Sequence, residues 1–373
     1  MDIRNCTDHS ARRRLIEENL NVSLQTIGDV LKDDPSTIHC ENLVGAISIP
    51  LGIAGPITIR AEDAEKEVYI PLATTEGALV ASVNRGCKAL AMSGGAIVQT
   101  QTVGTTRGPV FQTNGIREGK KLSDWIDKNK ELLQKEATKT SSHLQLLKAE
   151  TQINGTEVYV RFYYDTADAM GMNMVTIATN TVVQLIEKET SARCIAVAGN
   201  YDVDKKPSWM NSILGRGRRG WAEVALTAEN VQNVLKTTPE KILEVVRSKC
   251  WGGSIMSGSL GFNAHFANIV AAFFAATGQD LAHVVEGSQG VTSARVLENG
   301  DLYFSISMPA MMLGTVGGGT KLQTQAEARS LTKAATSSEL AEVLLGAVLA
   351  GELSLISSIA EHSLAKAHAS LGR

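Results

Sequence analysis

Arg161-Phe-Tyr-Tyr-Asp-Thr-Ala-Asp-Ala-Met-Gly-Met-Asn-Met174 is the stretch on which the fold turns. Its first half continues a strand. Val158, Val160, Phe162 and Tyr164 fall on one face, with Tyr159, Arg161 and Tyr163 on the other, a period of two. The second half, Asp168 to Met174, abandons that alternation for small, flexible and amide-bearing residues. A glycine between methionines lets a ligand approach the backbone, and thioether side chains mould around a flat ring. An ordinary strand-to-helix turn is the plainer alternative, and the heptapeptide alone does not separate the two.

Working outward, Arg107-Gly108-Pro109 punctuates the chain. After it the patterns predict a short strand, a charged helix from about Arg117 to Lys135, a second mixed segment and the strand of 157–164. Residues 191–199 read as a strand returning to the parent domain. The expectation is therefore α+β: a small domain at 109–193, inserted into a larger one formed by 41–108 and 194–373, behind an N-terminal helical segment at 1–40. In the larger domain, Glu41 to Pro56 carries three glycines and two prolines and predicts short strands joined by turns. Thr74-Thr75-Glu76-Gly77 precedes a helical stripe of Leu79, Val80, Val83, Cys87 and Leu90, with either threonine placed to cap it. The tail from Ser337 to Leu371 reads as helix, interrupted at Gly351.

At 373 residues, two or three domains are expected. Lysine and arginine total 36 against 39 acidic residues, for a net charge of −3, a balance that argues against a nucleic-acid binder. The five cysteines (Cys6, Cys40, Cys87, Cys194, Cys250) are odd in number, widely spaced and without a C-x-x-C pair. Neither a disulfide framework nor a structural zinc site is indicated, no metal is expected, and free thiols suit a reducing cytosol. Met1 to Leu20 is charged and lacks the apolar stretch of a signal peptide. Phe262 to Val285 is interrupted by Asn263, His265, Asn268, Gln279, Asp280 and His283, so it reads as a buried helix and its exit, not a membrane span.

Four positions carry candidate chemistry, each with a plainer alternative. In Gly199-Asn-Tyr-Asp-Val-Asp-Lys-Lys-Pro207 the lysines form either a solvated loop or an ammonium held near a carboxylate and aimed at a substrate oxygen. Asp280 follows the helix stop Gly278; it is a turn residue or a carboxylate coupled to a nearby lysine. Glu76 complements a helix dipole or donates a proton. His368 favours a helix C-terminus or delivers a proton at neutral pH, and His362 competes for that role. Of two glycine strings, Gly215-Arg-Gly-Arg-Arg-Gly220 matches the dinucleotide pattern only literally and reads as a basic connector loop before a strand at Trp221. Gly314-Thr-Val-Gly-Gly-Gly-Thr320 permits positive φ and bare backbone N–H groups, which suits a pyrophosphate or a close helix packing.

Together these strings resemble the 3-hydroxy-3-methylglutaryl-coenzyme A reductase family. E-N-L-V-G-A-I-S-I-P-L-G-I-A-G-P, T-T-E-G-A-L-V-A-S-V-N-R-G-C-K-A-L, D-A-M-G-M-N-M, D-K-K-P, G-Q-D and G-T-V-G-G-G-T occur in the family's order and spacing, from about Glu41 to the C-terminus. The resemblance is to the soluble, archaeal-type members without a membrane anchor. It implies a large helix-rich substrate domain with an inserted, ferredoxin-like, non-Rossmann nicotinamide domain. It implies catalysis by Glu76, Lys205, Asp280 and His368, the K-x-H near the end displacing His362. A hydroxymethylglutaryl pocket would use Arg107, Asp204, Lys206, Lys249 and Asn268, with Arg85 and Lys88 near the coenzyme A side. The cofactor would lie against Asp168, Met170, Gly171, Met172, Asn173, Met174, Gly317 and Gly318. Ala198 stands where eukaryotic relatives carry a serine, a departure that bears on one substrate hydrogen bond of the pocket.

The implied reaction reduces a coenzyme A thioester to a primary alcohol with two hydrides from NADPH, in the mevalonate route to isoprenoids. The implied assembly is a homodimer or a dimer of dimers with active sites between subunits, in the cytoplasm, with no nucleic acid or membrane partner. Lys135, Lys139 and His143 are candidates for the 2′-phosphate, against the plainer reading of a solvated helix end. The alternatives are an NAD-dependent mevalonate-degrading enzyme and, in a different class, a coenzyme A-binding acyl transferase or silent scaffold.

Overall fold

The computed structural model describes Cys6 and residues 8–62 and 64–361. Among them, ten strands form one continuous hydrogen-bonded system. They are β1 (Leu51–Arg60), β2 (Glu65–Ala73), β3 (Ala96–Arg107), β4 (Val110–Gln112), β5 (Gln145–Asn154), β6 (Glu157–Asp165), β7 (Arg193–Ala196), β8 (Arg216–Leu226), β9 (Val291–Val296) and β10 (Leu302–Met311). The longest strand, β3, serves two sheets. Its residues Ile97 to Gly104 pair with β8, and Thr105 to Arg107 pair with β6. The change occurs at Gly104, whose φ of +107 and close approach to the Tyr164 backbone suit glycine.

Two apolar cores follow. The smaller gathers Phe111, Leu122, Ile126, Val158, Val160, Phe162, Val175, Val182 and Ile186. Its chain order is β4, helices α4 (Ile116–Lys128) and α5 (Lys130–Thr138), β5, β6, helix α6 (Met172–Glu189) and β7. The sheet order β7-β4-β6-β5, all antiparallel, is the ferredoxin-like arrangement. The expected single helix of 117–135 is thus two helices, which meet at Asn129. Upstream lie the N-terminal α1 (His9–Leu20) and α2 (Gln25–Val30), then α3 (Leu79–Ala91).

The later helices are α7 (Trp209–Leu214), α8 (Ala228–Asn230), α9 (Pro239–Val245), α10 (Ser254–Ser257), α11 (Phe266–Thr277), α12 (Val284–Gly287), α13 (Gln323–Ser330) and α14 (Ser337–Ala360). The larger core packs β1, β2, β8 and β10 against α3, α9, α11 and α14. The last is long and apolar enough to cross a membrane, yet most of it is buried inside this core. It starts at a capping box: the Thr336 hydroxyl accepts the Glu339 N–H, and Glu339 reaches back to the Thr336 N–H.

Four expectations are corrected. Gly351 does not interrupt α14; it lets the helix lie close to Ile269 and Val83. Neither threonine caps α3, whose N-cap is Ala78 in the left-handed region, while the Thr74 hydroxyl accepts the Glu76 N–H. Pro56 lies within β1, at a register shift, so Glu41 to Pro56 gives part of one strand instead of several. Gly215 to Gly220 is no connector loop: β8 begins at Arg216 and pairs with both β3 and β10.

Candidate active site

Three of the singled-out segments meet backbone to backbone. Gly314 lies so close to Asp168, Ala169 and Met170 that a β-carbon there would stand 2.5 Å from the Met170 nitrogen. The Thr315 N–H donates to the Asp168 carbonyl at 2.8 Å, and Ala169 forms a parallel bridge with Val316. Gln279 fastens the third segment. Its Oε1 accepts the Gly314 N–H at 2.8 Å, and its Nε2 donates to the Gly314 carbonyl at 3.0 Å. Gly278 ends α11 with φ +73, and a β-carbon on it would fall 2.3 Å from the Gly319 oxygen. Only glycine permits that contact.

The cleft beside this junction has a volume of about 610 Å³. Met170, Gly171, Met172, Asn173 and Met174 line it from the start of α6, and Gly317 and Gly318 from the glycine loop. Gly171 starts α6 with φ +87, while Gly317 and Gly318 have φ of +82 and +53 with open space where side chains would stand. Helix N-terminal amides and bare glycine amides together suit a pyrophosphate. Asp168 does not line this cleft; its carboxylate accepts the Ser337 N–H at 2.8 Å, at the start of α14. Lys135, Lys139 and His143 do not line it either, and Lys139 pairs with Glu136 at 2.6 Å.

Lys205 and Asp280 stand at the edge of the same cleft, Nζ to Oδ2 2.9 Å. The lysine rides on a strained loop: Asn200, Val203 and Lys205 all have φ between +54 and +64. That conformation is disfavoured for residues with side chains and persists only when its surroundings over-determine it. They do so here. The Asp202 carbonyl accepts from Thr106, its carboxylate pairs with Arg107 at 3.0 Å, and the Val203 carbonyl accepts from Asn211. Burial pushes the Asp280 carboxyl up, but the Lys205 ammonium, the Ala282 N–H and the His283 ring outweigh it. The carboxyl is held below the usual aspartate value.

A second cleft, of about 580 Å³, opens beside Pro207 and is lined by Lys249 and Asn268 among others. The Asn268 amide donates to Glu76 Oε2 at 2.7 Å, so Glu76 faces the N-terminal end of α11. That end is fixed by Glu352, a buried acid of α14 that accepts the N–H groups of Ala264 and His265 and the Thr292 hydroxyl. Lys206 is exposed, and its ammonium donates to the Asp204 carbonyl at 3.4 Å. Arg107 is buried, bonded to Asp202 and Thr176, and lines neither cleft. Arg85 is turned away, clasping Ser354 and Ser358 of α14, and Lys88 is exposed on α3. His362 and His368 lie outside the described residues.

Sequence reasoning missed the group beneath the lysine. Arg216, fully buried, contacts Glu286, Asp204 (3.0 Å) and the Thr106 hydroxyl (2.8 Å). His283, also fully buried, stands 2.8 Å from Glu286. Asp204, His283 and Glu286 have the spacing of a metal triad, but Arg216 approaches all three and supplies their cation. Three of the cysteines are unsuited to be the nucleophile of an acyl transferase: burial pushes Cys87 and Cys250 up to about 12, and Cys194 upward too.

The model of the hydroxymethylglutaryl-coenzyme A reductase family matches residues 8–373. A 3-hydroxy-3-methylglutaryl-coenzyme A reductase of Methanothermobacter thermautotrophicus is 48% identical over 368 residues, covering 97% of this chain and 92% of the relative. The enzyme of that name from Pyrococcus abyssi is 47% identical over 374 residues, with the same coverage. In fold, the chain is similar to the class II 3-hydroxy-3-methylglutaryl-CoA reductase of Streptococcus pneumoniae solved bound to NADPH. The TM-score is 0.69 at 19% identity, covering 95% of this chain and 97% of that one. The chain belongs to the hydroxymethylglutaryl-coenzyme A reductase family.

Proposed function

We propose that this protein reduces (S)-3-hydroxy-3-methylglutaryl-coenzyme A to (R)-mevalonate and coenzyme A in isoprenoid biosynthesis, with NADPH as reductant. Family membership supports the reaction. The observation that carries the mechanism is the Lys205–Asp280 pair, which edges one cleft while the same loop, at Pro207, edges the other. The first cleft suits the dinucleotide, in the small unit of 109–193 and its contact with the glycine loop. The second suits the acyl group, with Lys249 and Asn268 toward its carboxylate and hydroxyl. Of the other acyl-pocket residues in the family pattern, Lys206 is exposed on the same loop, whereas Arg107 and Asp204 are held in ion pairs with Asp202 and Arg216 and act by fixing that loop.

When bound, NADPH supplies the hydrides. Lys205 stabilises the oxyanion that forms on the thioester carbonyl. Asp280, whose carboxyl is held below the usual aspartate value, aims that lysine from 2.9 Å. Glu76, held by Asn268, supplies a proton to the aldehyde oxygen in the second reduction. His368 protonates the departing coenzyme A thiolate, whose ordinary pKa is near 8.5. The active assembly is a homodimer or dimer of dimers, and the protein is cytoplasmic.

The test is loss of NADPH absorbance on addition of hydroxymethylglutaryl-coenzyme A. NADPH consumption by the natural chain, near silence in Lys205→Ala and a slower rate with NADH support the reading. No consumption with either cofactor overturns it, and a faster rate with NADH reverses the cofactor assignment.

A further inference from the structure

Gln289 carries a buried amide that the reaction as described does not use. The residue is 3% exposed, and neither its Oε1 nor its Nε2 has a hydrogen-bond partner among the described residues. Buried side-chain amides are almost always bonded, because an unmade bond costs the whole desolvation of the group. Gln289 lines the cleft of about 580 Å³ that also holds Lys249 and Asn268. Among the described residues, the buried and unpartnered side-chain atoms that line either large cleft belong to Gln289 and His265 (its Nε2). Both residues line this one. On its other side Gln289 borders a smaller cleft walled mainly by Trp209, Trp221, Phe262 and Met308. The polar cleft is therefore where a partner for the amide is to be found.

The backbone beneath this side chain is fixed. Gln289 lies between α12 and β9, and its own N–H donates to the Glu286 carbonyl at 3.1 Å. The Asn263 amide donates to the carbonyls on either side of it, Ser288 at 2.9 Å and Gly290 at 3.1 Å. A β-carbon on Gly290 would stand 2.2 Å from the Phe266 ring and 2.5 Å from the Ser307 oxygen, so the chain cannot shift there. The amide is thus held in place before any ligand arrives, and binding costs it little freedom. A carboxamide presents an acceptor and a donor side by side. The proposed acyl group carries the complement: a tertiary hydroxyl, which can donate, one methylene away from a carboxylate, which only accepts. Arg107 and Asp204 are held in their own ion pairs, and the Asn268 amide donates to Glu76. They leave the hydroxyl to another group.

We propose that Gln289 is a specificity-determining residue of the acyl cleft, which reads the 3-hydroxy carboxylate end of the thioester. Its Oε1 accepts the hydrogen of the tertiary hydroxyl, its Nε2 donates to a carboxylate oxygen, and the Lys249 ammonium supplies the opposite charge. An acyl group without the hydroxyl leaves Oε1 buried and unpaired. The residue therefore selects against that group as well as for the hydroxylated one.

This rests on the reductase reading, through which the acyl cleft is assigned. The test is calorimetric titration of the full chain, without NADPH, with two thioesters. One is hydroxymethylglutaryl-coenzyme A; the other is 3,3-dimethylglutaryl-coenzyme A, in which a methyl group replaces the hydroxyl. The natural protein is expected to bind the first at least about tenfold tighter. Gln289→Met, similar in size but without the amide, is expected to bring that ratio below about threefold and to leave the NADPH Kd within about twofold. Gln289→Glu keeps an acceptor but repels the substrate carboxylate. It is expected to weaken both thioesters more than about tenfold, and it serves alone if Gln289→Met does not fold. Absence of discrimination in the natural protein, or an unchanged ratio in Gln289→Met, overturns the proposal; ordered water then satisfies the amide. Unaltered affinities in Gln289→Glu overturn it as well. Discrimination that follows the side chain, in a protein that does not consume NADPH, supports the proposal and defeats the reductase reading instead.

Discussion

At the scale of single residues, the site depends on one ion pair and what lies beneath it. Removing an oxyanion donor typically costs about a hundred- to a thousandfold in kcat. Lys205→Ala is expected to lose that much, with the cofactor's Kd changed by less than about threefold; steady-state kinetics with a binding titration check both. Loss of affinity without loss of kcat would contradict the assignment. The pair also makes a pH prediction. Because Asp280 is depressed in the folded state, its contribution to stability is complete above the ordinary value near 3.9 and is lost as pH falls through the lower folded value. Melts of the natural protein and Asp280→Asn should differ by a constant small amount near neutrality, converging below about pH 4. The difference stays small because the pair is partly solvated. The lysine and aspartate could be singled out in the sequence because each sits beside a turn signal. Arg216 could not, since its glycines imitate a loop. Yet the alternation of Ala222, Val224 and Leu226, all buried, runs back through Gly220 to Arg216. That extrapolation was the available signal.

At the scale of elements, the site is placed by helices that approach closer than side chains normally allow. In α3, a β-carbon on Gly86 would fall 1.9 Å from the Ala350 oxygen of α14. Gly86→Ala therefore forces the two helices apart and is expected to cost about 1–3 kcal/mol, as overpacking does. Thr336→Ala removes the capping hydroxyl of α14 and is expected to cost about 1 kcal/mol. Thermal melts rank the two, and a Gly86→Ala protein as stable as the natural one would contradict the close approach. Periodicity made α3 and β6 legible, and apolar composition did the same for α11 and α14. The continuity of α14 was not legible, because a glycine in a helical pattern reads as a break when its partner helix is unknown. Glu352 went unnoticed for a related reason: it serves the N-terminus of α11, a neighbour that only the fold supplies.

At the scale of the molecule, the cleft proposed for the dinucleotide draws on both cores. Its lining comes from α6, which belongs to the smaller core, and from Lys205, Asp280 and the glycine loop, which belong to the larger unit. The sequence held the two patches as separate motifs; their contact depends on three glycines and Gln279 meeting across more than a hundred residues. A ligand that binds such a seam stabilises the two halves together. At one hundred times its Kd, NADPH should add about 2.7 kcal/mol. It should also shift every thermal transition of the protein upward, whether the cores melt as one or in sequence. Gly278→Ala, strained at φ +73 and obstructed by the Gly319 oxygen, pushes the glycine loop off the end of α11. It is expected to raise the NADPH Kd more than about tenfold, while the ligand-free protein loses about 1–3 kcal/mol. Scanning calorimetry with and without NADPH separates the two effects. A cofactor-induced shift confined to one transition, or a variant that binds NADPH normally, would mean that the cofactor rests on a single core and that the seam serves packing alone.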